Sequence, residues 1–384
     1  MKILFFSHYA GMGGANNELI WLCQELKKRD NEILVALPAH GEFEKALKQG
    51  GIPYKIYPYK RWICIDGQKK RFSNQIYKFL YCIQNWAVAF FIKAMIGNNR
   101  YDIIHTNDSL IPIGAYVSKI TKIPHVWHLR ELLEEDYKRT IIYSDKYVQK
   151  WYSSSAYMVA ISHTVADKYR HRIIRNNLLQ IYDGIPMPKD IPDINKIPKG
   201  NEFTLLYTGG TSIEKGFEDI ISIANILKNE YKMRFQILVA GDCSDKEKYN
   251  AEVLKYGIRN EIVYLGFINN LDAVRMKSDI FLMPSIKEAF GLVTVEAMVS
   301  GLIVVGKASG GTNEIIQDGI NGYLYEPGDF HTACAKIIYA LKHPDITQKL
   351  CIQAQRDAIN KYSIARVADD MMDMYKSCKD SILI

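Results

Sequence analysis

SIKEAFGLVTVEAM, residues 285–298, sets two glutamates eight positions apart with a glycine between them. Glu288 falls in a loop that leaves the strand-like run IFLMP, and Glu296 falls on the second turn of an apolar segment that reads as helix until Gly301. A helix start attracts anions, because its first N–H groups lack partners and its dipole is positive there. The amides around Phe290–Val293 therefore suit phosphate, and the two carboxylates beside them need a different partner. Sugar hydroxyls answer that need, since an ionised carboxylate only accepts hydrogen bonds and a hydroxyl donates one. A diphosphate with a hydroxyl-rich group at either end meets both demands, which points to a nucleotide-sugar.

Working outward, short apolar runs alternate with helical patterns along the whole chain, the signature of parallel α/β sheets. Strands are expected near 2–7, 32–37, 102–106, 124–128, 157–161 and 179–182, and then at FTLLYT, FQILVAG, IVYLG, IFLMP, LIVVG and GYLY. Residues 214–230, EKGFEDIISIANILKNE, carry apolar side chains at helical spacing. Between the halves, DGIPMPKDIPDINKIPKGN contains four prolines, which remove backbone donors and discourage helix before them. The chain thus divides into an N-terminal doubly wound domain (1–185), a linker (186–200) and a C-terminal domain (201–360). A last helix near 363–384 could pack back on the first domain.

At 384 residues the chain exceeds one ordinary core, and its 48% hydrophobic and 24% charged content is globular. Seven cysteines without a CxxC pair fit a reducing compartment, with neither a disulfide framework nor a zinc site. No clean run of eighteen apolar residues is present, so a membrane-spanning helix is not expected. The start MKILFFSHYAGMGG reads as a first strand rather than a signal peptide. The first 185 residues carry 26 Lys/Arg against 16 Asp/Glu, whereas the remainder is slightly acidic. Bases concentrate at 55–78, interleaved with aromatics, ahead of the apolar helix candidate 79–97. That region reads either as a core helix behind a solvated loop or as a contact with an anionic membrane surface. No nucleic-acid motif accompanies the charge.

Two glycine turns follow strands. In SHYAGMGGANNEL (7–19), Asn16 stands where a dinucleotide fingerprint requires a third glycine, and no acidic residue follows the second strand. That argues against a nicotinamide site and leaves a turn that lets backbone approach a ligand. In YTGGTSIEKGFEDI (207–220), Gly209 and Gly210 free the backbone, and Lys215 stands at the helix mouth, suited to a diphosphate.

EAFGLVTVE is an E-x7-E motif, followed by EAMVSGLIVVGKASGGTNEIIQDGINGYLYEPGD. With YTGGTSIEKG, LGFI and GGANNEL, it resembles family 4 of the retaining GT-B glycosyltransferases. The resemblance is dense from 205 to 330. It is thinner in the first half, where YDIIHTND, PHVWHLRE, VAISHTVADKY and IYDGIP carry it. It implies a GT-B fold, two Rossmann-like domains facing across a cleft.

The resemblance also implies roles. Glu288 would bind donor-sugar hydroxyls and Glu296 the ribose. Ala289, Phe290, Gly291 and Leu292 would line sugar and phosphates, and Lys215 would balance the leaving diphosphate. Gly266, Phe267 and Ile268 would meet the base through backbone, and Gly13 and Gly14 would approach the donor from the other domain. Gly209 and Gly210 would flank the phosphates. His128, at the carboxyl end of HVWHL, would sit beside the reacting sugar. Arg130 and Glu131 would touch acceptor or pair with each other, whereas His105 reads as a buried strand residue. Two departures stand out. Gly210 replaces the family's frequent arginine, and Asp183-Gly184 replaces Asn-Gly, which reads as a change of turn.

The reaction expected is transfer of a sugar from a nucleotide diphosphate to an acceptor hydroxyl with retained configuration. No acidic pair of DxD type stands in a donor loop, so neither an essential metal nor a cofactor is expected. The basic first half suggests a lipid-linked or anionic glycan acceptor, in capsule, exopolysaccharide or lipopolysaccharide assembly. The location would be the cytoplasm or the inner face of the plasma membrane. A nucleotide-sugar epimerase, a catalytically weak partner subunit and a nucleotide-sugar sensor are the alternatives.

Overall fold

A computed structural model of the chain describes residues 1–65, 75–97, 101–137, 139–173, 177–194 and 202–380. The chain forms two compact units, Met1–Pro186 with Ile364–Ile384, and Met187–Ser363.

In the first unit the strands are β1 (Lys2–Ser7), β2 (Glu32–Leu37), β3 (Tyr54–Ile56), β4 (Ile63–Ile65), β5 (Ile103–Asn107), β6 (His125–Leu129), β7 (Arg139–Ile141), β8 (Tyr157–Ala160) and β9 (Leu178–Gln180). Seven of them form a parallel sheet in the order β3-β2-β1-β5-β6-β8-β9, while β4 and β7 pair antiparallel. The order reverses between β1 and β5, whose register sets Ser7 level with Asn107. Such a switch point opens a crevice at the carboxyl ends of the strands. Both faces are covered, so the strands are nearly continuous apolar runs rather than alternating ones. Phe5, Leu22, Val35 and Ile103 are fully buried, and each such side chain contributes about 1.5–3 kcal/mol by leaving water.

The helix Ile364–Asp380 closes this core with Val367, Met371 and Tyr375. Its entry is fixed by the Ile364 N–H, which donates to the Ile185 carbonyl at 2.9 Å. Arg29, at the end of helix Gly14–Lys28, pairs with Asp369 at 2.8 Å and so holds the two helices together.

The second unit holds β10 (Glu202–Tyr207), β11 (Arg234–Ala240), β12 (Ile262–Gly266), β13 (Ile280–Met283), β14 (Ile303–Lys307) and β15 (Tyr323–Tyr325). They form a parallel sheet in the order β12-β11-β10-β13-β14-β15, with the switch point between β10 and β13. Phe217, Ile220, Ala224 and Leu227 seat helix Phe217–Asn229 on one face.

The structure amends several expectations. Strands β3, β4 and β7 are additional to those expected. The helix expected from 214 begins at Phe217, because Gly216 at φ 83° is left-handed and stops any earlier start. Three aromatics of the basic segment, Tyr57, Tyr59 and Trp62, are buried, whereas Tyr77 is exposed. The single proton of the Tyr59 hydroxyl is shared between the Ser7 and Ala36 carbonyls, at 2.6 and 2.8 Å, and the Trp62 ring stacks on Trp127 at 5.5 Å. Residues 66–74 of that segment and 195–201 of the linker lie outside the described residues. The helix Gln75–Ile96 is, contrary to expectation, long and apolar enough to cross a membrane by length and composition.

Candidate functional site

At the switch point of the second unit, two loops leave β10 and β13 and are stitched together. The Ile286 N–H donates to the Glu214 carbonyl at 3.0 Å, which sets the lysine loop beside the acidic one. Lys215 then meets Glu288, with Nζ 3.0 Å from one carboxylate oxygen and 3.4 Å from the other. The other side of the acidic loop is pinned by Gly311, whose N–H donates to the Glu288 carbonyl at 2.7 Å. Glycines are required here by close approach. A Cβ on Gly310 would lie 2.4 Å from the Glu288 carbonyl oxygen, and one on Gly216 would lie 2.1 Å from that of Pro284. The acidic loop is thus held by backbone at Ile286 and Glu288, with the Glu288 carboxylate turned to a cation.

Helix Leu292–Val299 begins directly after this loop. Its cap is Gly291 in the left-handed region, no side chain caps it, and its first turn has no acidic residue. Ala289 and Phe290 beneath it are buried, and the Phe290 ring packs on Tyr362 at 5.4 Å. The start is therefore a rigid, uncapped anion-attracting end with Lys215 and Glu288 alongside. Leu292 is half-buried at the first position.

One turn on, Glu296 does not stand alone. Arg275, 8% exposed, donates to it and to Asp272 at 2.9 Å. A carboxylate has about four acceptor positions, so the guanidinium fixes one oxygen and leaves acceptor capacity for hydroxyls. Sequence reading missed Arg275, because nothing in RMKSD marks a partner 21 residues away.

The second glycine turn explains its own departure from the family pattern. Gly210 has φ +61°, its N–H donates to Ala240, and a Cβ there would lie 2.1 Å from the Asp242 carbonyl oxygen. This backbone excludes an arginine. Gly209 lies against the Tyr207 hydroxyl. Across the turn, the Gly241 N–H donates to the Gly266 carbonyl at 2.9 Å, Gly266 is left-handed, Phe267 is exposed and Ile268 is half-buried.

The first unit builds a polar cluster at its own switch point. His128 is fully buried; its Nδ1 lies 3.3 Å from His105 Nε2, and His105 Nδ1 meets the Tyr375 hydroxyl at 2.7 Å. Burial, then the Arg130 charge and His105, hold the His128 pKa well below the usual histidine range, so the ring is neutral. Its Nε2 is buried and has no hydrogen-bond partner among the described residues.

Arg130 and Glu131 do not pair with each other. Arg130 is buried, and its guanidinium donates to Asn107 at 2.9 Å, to Asp183 at 2.7 Å and to Glu18. Glu131 instead accepts twice from Arg139 at 2.7 Å. The guanidinium offered to an acceptor is therefore already committed to three groups of its own unit. Asp183 is likewise more than a change of turn, since its carboxylate is buried against Arg130. Burial pushes the Glu18 carboxyl up to about 8, against the pull of Arg130, and also raises that of Asp183.

Gly13 precedes the helix Gly14–Lys28 in extended backbone, and Gly14 has open space where a side chain would go. Asn16 replaces the third fingerprint glycine for a structural reason. Its amide donates to the Gly11 carbonyl at 2.7 Å and the Tyr9 carbonyl at 3.3 Å, while Ser7 donates to it at 2.8 Å. It therefore fixes the turn itself.

His8 and Asp108 were not anticipated. His8 Nδ1 lies 3.2 Å from an Asp108 oxygen, and with Glu131 they bring three potential metal-ligand atoms within 4.8 Å. Arg139, paired to Glu131, already supplies positive charge there. Burial, then Arg139, lowers the His8 pKa to about 3, whereas burial raises that of Asp108 well above the carboxylate range. The only sequence signal for this pair is position, at the ends of β1 and β5.

Residues 12–187 match the domain of glycosyltransferase family 4, and residues 190–358 match that of glycosyl transferases group 1. A putative glycosyltransferase, EpsD of Bacillus subtilis, is 24% identical over 84% of this chain and 93% of its own. An Escherichia coli UDP-Gal:alpha-D-GlcNAc-diphosphoundecaprenol alpha-1,3-galactosyltransferase is 23% identical over 73% and 76%. Among solved structures, HepE of Anabaena in complex with UDP superposes with a TM-score of 0.80 at 21% identity, covering 98% of this chain and 100% of its own. HepE is also solved with UDP-glucose, with a TM-score of 0.77. Both sheets thus belong to a GT-B fold, and the chain is a nucleotide-sugar glycosyltransferase of family 4.

Proposed function

We propose that the protein transfers a hexose from a UDP-sugar to an acceptor hydroxyl with retained anomeric configuration, in the assembly of a bacterial surface polysaccharide. The observation that carries this reading is the Lys215–Glu288 pair beside the uncapped start of helix Leu292–Val299. The helix amides and Lys215 would stabilise charge gathering on the departing diphosphate, the effect that usually contributes most to such catalysis. Glu288 would accept from donor-sugar hydroxyls, and Glu296, oriented by Arg275, from the ribose.

In the step itself, the bond between the anomeric carbon and the β-phosphate oxygen breaks, and a bond to the acceptor oxygen forms on the same face. The acceptor proton passes to the leaving phosphate, so no covalent nucleophile is needed. His128, neutral and with Nε2 unpartnered among the described residues, would hydrogen-bond the reacting sugar. Support for the donor class comes from HepE, solved with UDP-glucose. Support for the acceptor class comes from the E. coli relative, whose name specifies a diphosphoundecaprenol-linked sugar. The reaction would run on the cytoplasmic side of the membrane.

A thermal-shift panel of UDP-, GDP- and ADP-sugars tests the donor, with the largest rise expected for a UDP-hexose and loss of that rise in Glu296→Ala. An unchanged rise in that variant would overturn the assignment of Glu296. Gly210 favours a second reading, a weak partner subunit, because one cationic phosphate contact is excluded by the backbone. Slow release of free sugar from the donor without acceptor decides for the enzyme; no turnover decides for the partner.

A further inference from the structure

Helix Gln75–Ile96 has two apolar faces. Asn85, Val88, Ala89, Ile92 and Ile96 are buried against the first unit. Half a turn away, at 3.6 residues per turn, stand Ile76, Phe79, Leu80, Ile83, Phe90 and Phe91. Ile76 is 64% exposed, Phe79 65%, and Phe90 and Phe91 55% each. A core helix would bury its length, yet only 28% of its most apolar window is buried. Contiguous exposed apolar surface of this extent marks an interaction site.

Charge identifies the occupant. The helix carries no acidic residue, and between Glu44 and Asp102 the sequence has a single acid, Asp66, against eleven Lys/Arg. Among the described residues Lys60, Arg61 and Lys93 are exposed beside or on the helix. A second copy seated on this face would bring like charges together, whereas an anionic lipid surface would neutralise them.

The inner face argues against spanning. The Asn85 side chain exchanges two hydrogen bonds with the Lys60 backbone at 2.8 and 3.1 Å, and the Trp86 ring stacks on Tyr116 at 4.6 Å. Insertion across a bilayer would break these contacts, and lying flat keeps them.

We propose that the outer face of Gln75–Ile96 docks the protein on anionic lipid, with the helix parallel to the membrane and the apolar side chains at the acyl boundary. This goes beyond the reaction, since docking requires neither donor nor acceptor. The test is co-sedimentation of the full chain with vesicles of phosphatidylcholine, with and without phosphatidylglycerol, at low and high salt. Strong binding is expected only with phosphatidylglycerol, weakening with salt. Lys60→Gln and Arg61→Gln should each lower that affinity about fivefold. The variant Phe79→Gln/Leu80→Gln/Ile83→Gln/Phe90→Gln should lose binding by tenfold or more, with an unchanged circular dichroism spectrum and UDP-sugar thermal shift. Three results overturn the proposal: no binding by the wild type, equal binding by the quadruple variant, or a wild-type dimer in sedimentation that this variant makes monomeric. The last would assign the face to a second copy.

Discussion

The ammonium of Lys215 stands 3.0 Å from a carboxylate oxygen of Glu288, although 73 positions separate them in sequence. Their loops leave neighbouring strands of one sheet, and a backbone bond from the Ile286 N–H to the Glu214 carbonyl ties the two loops together. Because Lys215 is the cation assigned to the leaving diphosphate, Lys215→Ala should lower kcat by roughly 10²–10³-fold. Glu288→Gln should lower kcat/KM about tenfold or more, while UDP inhibits more tightly because Lys215 loses its carboxylate partner. Steady-state kinetics with UDP inhibition measures both, and a Lys215→Ala kcat within threefold of wild type would remove the lysine from the mechanism.

Arg275 holds Glu296 in one orientation. Arg275→Ala leaves that carboxylate mobile, and we expect UDP affinity to fall about tenfold, or about 1.4 kcal/mol. Calorimetric titration of UDP into wild type, Arg275→Ala and Glu296→Ala should give a double-mutant cycle with strong coupling. Strict additivity would mean that the arginine serves the fold alone.

Restoring the family arginine at position 210 should fail. Gly210→Arg forces a side chain into φ +61° and 2.1 Å from a carbonyl oxygen, at a cost of about 1–3 kcal/mol for the backbone alone. A fall in Tm with loss of activity is expected. A variant that keeps the wild-type Tm and gains activity would refute the steric account.

Acid should unfold the first unit early. Burial first, then nearby arginines for His8, lowers the pKa of His8 and of His125 to about 3, and those of His105 and His128 well below the usual value. The unfolded chain thus binds more protons between about pH 3 and 6.5, so stability is complete above that window and falls as pH drops through it. Each histidine contributes up to about 1.4 kcal/mol per pH unit. Glu18, Asp108 and Asp183 act oppositely: burial raises all three carboxyls, that of Glu18 to about 8, so stability declines as pH rises from the ordinary carboxylate value through that range. Denaturant unfolding across pH should therefore show a maximum, and Glu18→Gln should flatten its alkaline side. An unchanged alkaline limb would contradict the raised carboxyl.

The last helix should be indispensable to the first unit. Tyr375→Phe removes the bond to His105 and should cost about 1 kcal/mol, whereas truncation after Ser363 exposes the core under Val367 and Met371 and should leave the protein insoluble. A soluble truncated chain with wild-type Tm would contradict this.

The sequence by itself determined the alternating α/β pattern, nearly every strand of both large sheets, and the E-x7-E segment with its lysine turn. These are local signals: apolar runs bounded by glycine or proline, and charges next to a helix start. The edge strand β3 and the antiparallel pair β4–β7 escaped, while β9 and β15, equally short, were expected from their apolar runs. Only the tertiary structure decided which charged groups meet. Arg130 read as a residue offered to substrate, yet β5, β6, the first helix and the Asp183 turn converge to surround it with Asn107, Glu18 and Asp183. His8 reached Asp108 for the same reason, whereas Arg275 reached Glu296 from one helix to the next. Parallel strands bring their carboxyl ends together whatever the intervening chain length, so pairings made there depend on strand order and not on spacing in the sequence.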